Sequence, residues 1–89
     1  IPIICEKYKR DKSSYKLDRN KYLAGSDMTM GQFVYIIRKR LKMKECDALF
    51  LFINNTLVPN TEILQRIYNE NKDEDGFLYI YFSLENTFG

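Results

Sequence analysis

The sequence predicts an α+β domain in which two helices pack on a four-stranded mixed sheet. Three observations predict it. Short, continuous apolar runs open the chain at 1–5 and recur at 49–53 and 77–82, with the length and bounding of buried strands. Two longer stretches, 29–41 and 61–71, carry apolar residues at helical spacing. The 89 residues, 45% hydrophobic and 15% aromatic, suffice for one core and hence one domain.

The first strand is read at 1–7. Ile1, Ile3 and Cys5 alternate with Pro2 and Ile4, so both faces are apolar, as in a strand covered on two sides. Pro2 is tolerable near a strand start. Residues 8–20 are polar and charged and read as a surface loop. Lys21-Tyr22-Leu23-Ala24 is a short strand closed by Gly25-Ser26-Asp27. The clearest helix follows. Thr29 is its N-cap, and Gln32 three residues on completes a capping box. Met30, Phe33, Val34, Ile37 and Leu41 form its core-facing stripe, with Ile36 off that stripe, and Arg38, Lys39 and Arg40 suit the negative end of the helix dipole. Leu49-Phe50-Leu51-Phe52-Ile53 is a buried strand ended by the turn signal Asn54-Asn55. The second helix is read at 61–71, with Ile63, Leu64, Ile67 and Tyr68 on one face. An acidic turn, Asp73-Glu74-Asp75-Gly76, leads into the strongest strand, 77–82, and residues 84–89 are a flexible tail after a domain of 1–83. This order is that of a β-grasp sheet. Its first and last strands are central and parallel, and its short second strand is an edge with one row of backbone groups unpaired.

Composition narrows the function. The chain has no histidine, the commonest general base and metal ligand. Cys5 and Cys46 are far apart and have no CxxC partner, so two buried cytosolic thiols are expected rather than a disulfide or a zinc site. No run approaches the roughly 18 apolar residues of a membrane span, and no signal pattern opens the chain. Opening on Ile1 rather than Met points to a fragment or a processed chain. A net charge of +2 is too small to imply nucleic acid. No catalytic constellation and no phosphate loop are found, so no enzyme and no cofactor are expected. Asn54-Asn55-Thr56 fits a glycosylation sequon but reads more simply as a turn. The chain ends on Gly89. Lacking a Cβ, glycine passes through a narrow enzyme cleft, and its carboxyl can become an acyl adenylate, a thioester and then an amide. Taken alone, such an end is more simply a frayed terminus.

Six segments then act together. Lys21-Tyr22-Leu23, Thr29-Met30-Gly31-Gln32-Phe33, Ile37-Arg38-Lys39-Arg40, Phe52-Ile53-Asn54-Asn55, Lys72-Asp73-Glu74-Asp75-Gly76-Phe77-Leu78-Tyr79 and Glu85-Asn86-Thr87-Phe88-Gly89 resemble the autophagy ubiquitin-like modifiers of the GABARAP and microtubule-associated light-chain-three family. They do so in order, at matching spacing, over the whole chain. The resemblance implies a ubiquitin-like fold and a modifier that a cysteine protease trims to its terminal glycine, here Gly89. Activating and conjugating enzymes pass it by thioester to phosphatidylethanolamine, and the same kind of protease also releases it. The implied setting is the cytoplasm, and the autophagosome membrane once lipidated. There the modifier recruits cargo receptors carrying an aromatic-x-x-aliphatic motif.

An extended peptide can add to the open edge of the second strand, with pockets reading alternate side chains. By similarity the motif's aromatic residue sits near Pro2, Ile4, Lys21, Leu23 and Phe77. Its aliphatic residue sits near Tyr22, Ala24, Met28, Phe33, Ile36 and Ile37. Arg19, Lys21 and Arg40 attract flanking acids. Without the resemblance, Leu23, Phe33 and Ile36 read as plain core. The chain departs from the family pattern in several places. It lacks the two helices usual before the first strand, which opens the aromatic pocket. Ala24-Gly25 replaces a bulky aliphatic and Pro, which enlarges the aliphatic pocket. The loop at 8–16 is about one residue longer, and nothing follows Gly89, so the protease step is either complete or unneeded. A protein-lysine modifier and a non-conjugated peptide-binding module remain as alternatives.

Overall fold

The structure is a computed structural model that describes residues 1–85. In chain order it forms β1 (Pro2–Lys7), β2 (Lys21–Leu23), α1 (Met30–Leu41), β3 (Phe50–Ile53), β4 (Thr56–Leu57), α2 (Leu64–Asn71) and β5 (Leu78–Ser83). The sheet runs β2-β1-β5-β3-β4. β1 and β5 are central and parallel, from Ile3↔Leu78 to Lys7↔Phe82, as their two-sided apolarity requires. Pro2 precedes that pairing, so its missing N–H breaks no ladder bond.

The core lies between the sheet and the helices. Ile3 and Cys5 of β1, Leu51 and Ile53 of β3, and Leu78, Ile80 and Phe82 of β5 meet Met30, Phe33, Ile37 and Leu41 of α1 and Leu64 and Ile67 of α2. On the sheet's other face Ile4 and Phe52 are also buried, and the Tyr8 ring lies 6.1 Å from that of Phe52. α1 begins as its sequence requires. Gln32 N–H donates to the Thr29 hydroxyl (3.2 Å), and Thr29 N–H donates to Gln32 Oε1 (2.9 Å). Gly31 N–H donates to the Asn60 carbonyl (2.9 Å). A Cβ at Gly31 would stand 3.2 Å from that carbonyl oxygen, a tighter contact than side chains usually make, so this close approach favours glycine.

Four expectations are corrected. The sheet has five strands, not four. Asn54 and Asn55 both take positive φ, 51° and 61°, the geometry of a two-residue hairpin turn. The turn folds Thr56–Leu57 back onto β3, a strand too short and too exposed to show a period. α2 starts at Leu64 rather than 61, because the preceding turn is occupied in receiving α1: the Glu62 carbonyl accepts Met30 N–H at 2.8 Å. Ile63 is left as an N-cap with no side-chain bond, 46% exposed rather than in the core. β5 is displaced by one residue. Phe77 belongs to the turn that Gly76 closes at φ +88°, and Ser83, 3% exposed, completes the strand. Finally, Cys5 is buried, as expected, but Cys46 is exposed in the segment after α1, and neither is in a disulfide. The acidic turn is held by its own side chains. The Tyr79 phenol donates to Asp75, which pushes the phenol up to about 12 and holds the carboxyl below its usual value.

Candidate functional site

Among the described residues β2 is bonded on one side only. It pairs with β1 as Pro2↔Leu23, Ile3↔Tyr22 and Ile4↔Lys21. Ala24 N–H donates to the Ile1 carbonyl (3.0 Å) and Cys5 N–H to the Asn20 carbonyl (2.8 Å). In an antiparallel ladder alternate residues turn their peptide groups toward the partner. Asn20, Tyr22 and Ala24 therefore face β1, and Lys21 and Leu23 present N–H and C=O groups to the open edge.

The side chains of this edge divide between the two faces of the sheet. On the face away from the helices, Pro2, Lys21 and Leu23, with Arg19, Tyr22 and Phe77, border a hollow of about 570 Å³. Leu23 is 87% exposed, held out by the one-residue alternation that half-buries Tyr22 and buries Ala24. Ile4 lies beside this group but is itself buried and does not border the hollow. On the helix face stand Tyr22, Ala24, Met28, Phe33, Ile36 and Ile37. Of these Ala24, Phe33 and Ile37 are core residues, because positions 33 and 37 of α1 point into the sheet. The Tyr22 ring packs edge-on against Phe33 with centroids 5.8 Å apart. Tyr22, Met28 and Ile36 are half-buried and supply the accessible apolar surface on this side.

Charge rims the edge. Arg19 and Lys21 are exposed, and the Arg19 carbonyl accepts the Tyr22 hydroxyl at 2.8 Å. Arg40 forms an ion pair with Asp18 at 3.6 Å, so an acidic ligand must compete with Asp18 for it. Burial pushes the Tyr22 phenol up, with Arg40 opposing. Gly89 lies outside the described residues.

Sequence reasoning missed two features. Met30, Val34, Leu49, Leu57 and Pro59 help line a second hollow, about 390 Å³, on the opposite flank of α1. The half-used Val34 position was its one signal. The Asp11 carboxylate also accepts Leu84 N–H at 2.7 Å, a contact across 73 residues that no local pattern encodes. Among the described residues no group of three or more His, Cys, Asp or Glu could hold a metal ion. No described helix is long and apolar enough to cross a membrane.

Residues 1–89 match the family described as autophagy protein Atg8 ubiquitin like. Autophagy-related protein 8B of Oryza sativa subsp. indica is 52% identical over 89 residues, covering 100% of this chain and 74% of the relative. Autophagy-related protein 8 of Neosartorya fischeri is 51% identical, over 100% of this chain and 75% of the relative. The crystal structure of Trypanosoma brucei ATG8 aligns with a TM-score of 0.89 at 47% identity, covering 100% of this chain and 76% of that one. Half of all positions are thus shared from end to end on one backbone, with the open-edged β2 part of it, and the chain belongs to the Atg8 family of ubiquitin-like autophagy proteins.

Proposed function

We propose that this chain is a modifier joined through the Gly89 carboxyl to phosphatidylethanolamine, and that on the membrane it recruits cargo receptors at the open edge of β2. The observation that carries the reading is the family match over residues 1–89, which takes in the 85–89 end together with the edge strand. In the chemistry this implies, an activating enzyme joins the glycine carboxylate to the α-phosphate of ATP and releases pyrophosphate. The enzyme's cysteine thiolate displaces AMP, giving a thioester. Thiol exchange moves the acyl group to a conjugating enzyme. The lipid's primary amine then attacks the thioester carbonyl, the amide forms and the thiol leaves. The chain itself supplies the acyl donor. A cysteine protease exposes the glycine and later cleaves the amide. The unconjugated chain is cytoplasmic, the conjugated one is on the autophagosome membrane, and neither requires nucleic acid.

Receptor capture follows from strand geometry. A peptide added to β2 bonds to the outward peptide groups of Lys21 and Leu23. Residues three apart on a strand point to opposite faces. An aromatic-x-x-aliphatic motif therefore sends its aromatic side chain to the Pro2, Leu23 and Phe77 hollow and its aliphatic one toward Tyr22, Met28 and Ile36.

Deletion of Gly89 tests the conjugation. With matching activating and conjugating enzymes, ATP and phosphatidylethanolamine vesicles, intact chain gains the mass of the lipid and the deletion gains nothing. Lipidation of the deletion at the normal rate refutes the assignment, and transfer of the intact chain to protein lysines instead of lipid refutes the acceptor.

A further inference from the structure

Residues 7–16 hold five of the chain's fourteen basic residues, Lys7, Lys9, Arg10, Lys12 and Lys16, against one acid, Asp11. On a chain of net charge +2 this surplus of four leaves the remaining residues net negative. Lys9, Arg10, Lys12 and Lys16 are exposed. Neither the Arg40–Asp18 nor the Arg66–Glu70 ion pair involves Lys9, Lys12 or Lys16. The acid of the segment is occupied: Asp11 accepts Ser13 N–H at 2.6 Å and Leu84 N–H at 2.7 Å. The flanking acids Glu6 and Glu85 are exposed, and with both counted the patch stays positive.

The position of this loop matters as much as its charge. Tyr8 N–H donates to the Phe82 carbonyl at 2.8 Å, and Lys7 Nζ donates to the Ser13 carbonyl. The Tyr8 bond to Phe82 and the Asp11 bond to Leu84 fasten the basic loop to the end of β5, and the Lys7–Ser13 bond closes the loop on itself. Gly89 is the fourth residue after Glu85, and four residues fully extended span at most about 14 Å. The Tyr15 hydroxyl donates to Asp47 (2.7 Å) and accepts from Lys44 N–H (3.3 Å), which brings both the Asp47 carboxylate and the exposed Lys44 beside the loop and leaves its net charge unaltered.

We propose that the 7–16 loop is a contact surface for anionic phospholipid headgroups, engaged when the chain is held to a bilayer through Gly89. This rests on the conjugation proposed above. A short tether keeps the loop close to the headgroup layer, so the local lipid concentration is high without further binding energy. Each basic residue near an anionic leaflet contributes about a five-fold preference, over a screening distance of about 8–10 Å. The loop orients an anchored chain rather than recruiting a free one, and it does so only where the leaflet carries negative charge.

The test bypasses the enzymes, so failure of enzymatic conjugation leaves it intact. Gly89→Cys in a Cys46→Ser background leaves one accessible thiol, since Cys5 is buried. This thiol is coupled to a maleimide-headgroup lipid in vesicles of phosphatidylcholine, with or without phosphatidylserine. Amine acetylation read by peptide mass spectrometry then reports each lysine. The expected result is acetylation of Lys9, Lys12 and Lys16 at least about five-fold slower with phosphatidylserine than without, restored by high salt, with Lys72 unchanged. The combined variant Lys9→Gln, Arg10→Gln, Lys12→Gln alters exposed positions, and its fold is verified by circular dichroism. Anchored, it loses the protection of Lys16. Equal reactivity on both vesicle types overturns the proposal, as does full protection of Lys16 in the variant. Protection that appears only when activating or conjugating enzyme is added assigns the loop to a protein and equally overturns it.

Discussion

Leu23 and Phe33 were both drawn to the same groove by similarity, yet they differ in what a substitution does. Leu23 is 87% exposed and Phe33 1% exposed. Leu23→Ala should leave the unfolding midpoint unchanged and weaken an aromatic-x-x-aliphatic peptide by about 1–3 kcal/mol, the cost of a lost apolar contact in a filled pocket. Half-buried Ile36→Ala should behave similarly, with a smaller stability loss. Phe33→Ala should cost about 3–5 kcal/mol of folding, so its binding defect would report unfolding. Calorimetry with one peptide and a thermal melt of each variant separates these outcomes; unchanged affinity in both Leu23→Ala and Ile36→Ala places the groove elsewhere. Asp11 provides a pH test. Burial pushes its carboxyl up, but hydrogen bonds from Ser13, Leu84 and Ser83 outweigh that and leave the pKa below its ordinary 3.8. A depressed carboxylate stabilises fully above the unfolded value and loses that stabilisation as pH falls through the folded one. The Leu84 amide should thus stay protected from hydrogen exchange down to about pH 4 and lose protection only below it. Loss already at neutral pH would show that Asp11 does not hold the end of β5.

The two helices differ in their starts. α1 has a complete capping box, and Thr29→Ala should cost about 1 kcal/mol. α2 begins on Ile63, whose extended backbone fits an N-cap but whose side chain accepts nothing. Ile63→Asp should therefore stabilise the domain by about 0.5–1 kcal/mol, through a cap bond to the first turn and a favourable charge at the helix start. The gain stays modest because the Ser26 and Ile63 carbonyls already take the Gln65 and Arg66 N–H groups. Urea unfolding of the two variants should move the midpoint in opposite directions; a loss in Ile63→Asp would mean that the half-exposed isoleucine contributes more by packing than a cap supplies.

At the scale of the whole molecule, charge and hydrophobicity are segregated. The central strands and helices hold the apolar residues, and basic residues gather both in the 7–16 loop beside the end of β5 and at 38–44, where α1 ends. Nothing among the described residues offers a membrane-crossing helix, and a bilayer without net charge gives the basic loop no attraction. The unconjugated chain should therefore remain in the aqueous fraction when floated with phosphatidylcholine vesicles; under the proposed conjugation, the two acyl chains of the lipid would supply the anchor. Substantial co-flotation of the free chain would show that some surface of the domain inserts by itself.

What the sequence determined alone is what is encoded within a turn or a strand. Thr29 and Gln32 specify the start of α1, the i, i+3, i+4 stripe specifies its buried face, and the two-sided apolarity of 1–5 and 77–82 specifies the two central strands. The register of six family segments was equally legible, because similarity is itself a linear property. The tertiary structure decided the rest. It turned Thr56–Leu57 into a fifth strand, because a two-residue strand has no period of its own. It left Ile63 and Cys46 exposed and drew Ala24 into the core, because exposure depends on neighbours brought from elsewhere in the chain. It also fastened the 7–16 loop to the end of β5 through an Asp11–Leu84 bond spanning 73 residues. A hydrogen bond between residues so distant in sequence leaves no spacing to read, and only the folded sheet, with β1 and β5 parallel and ending side by side, brings the two groups within reach.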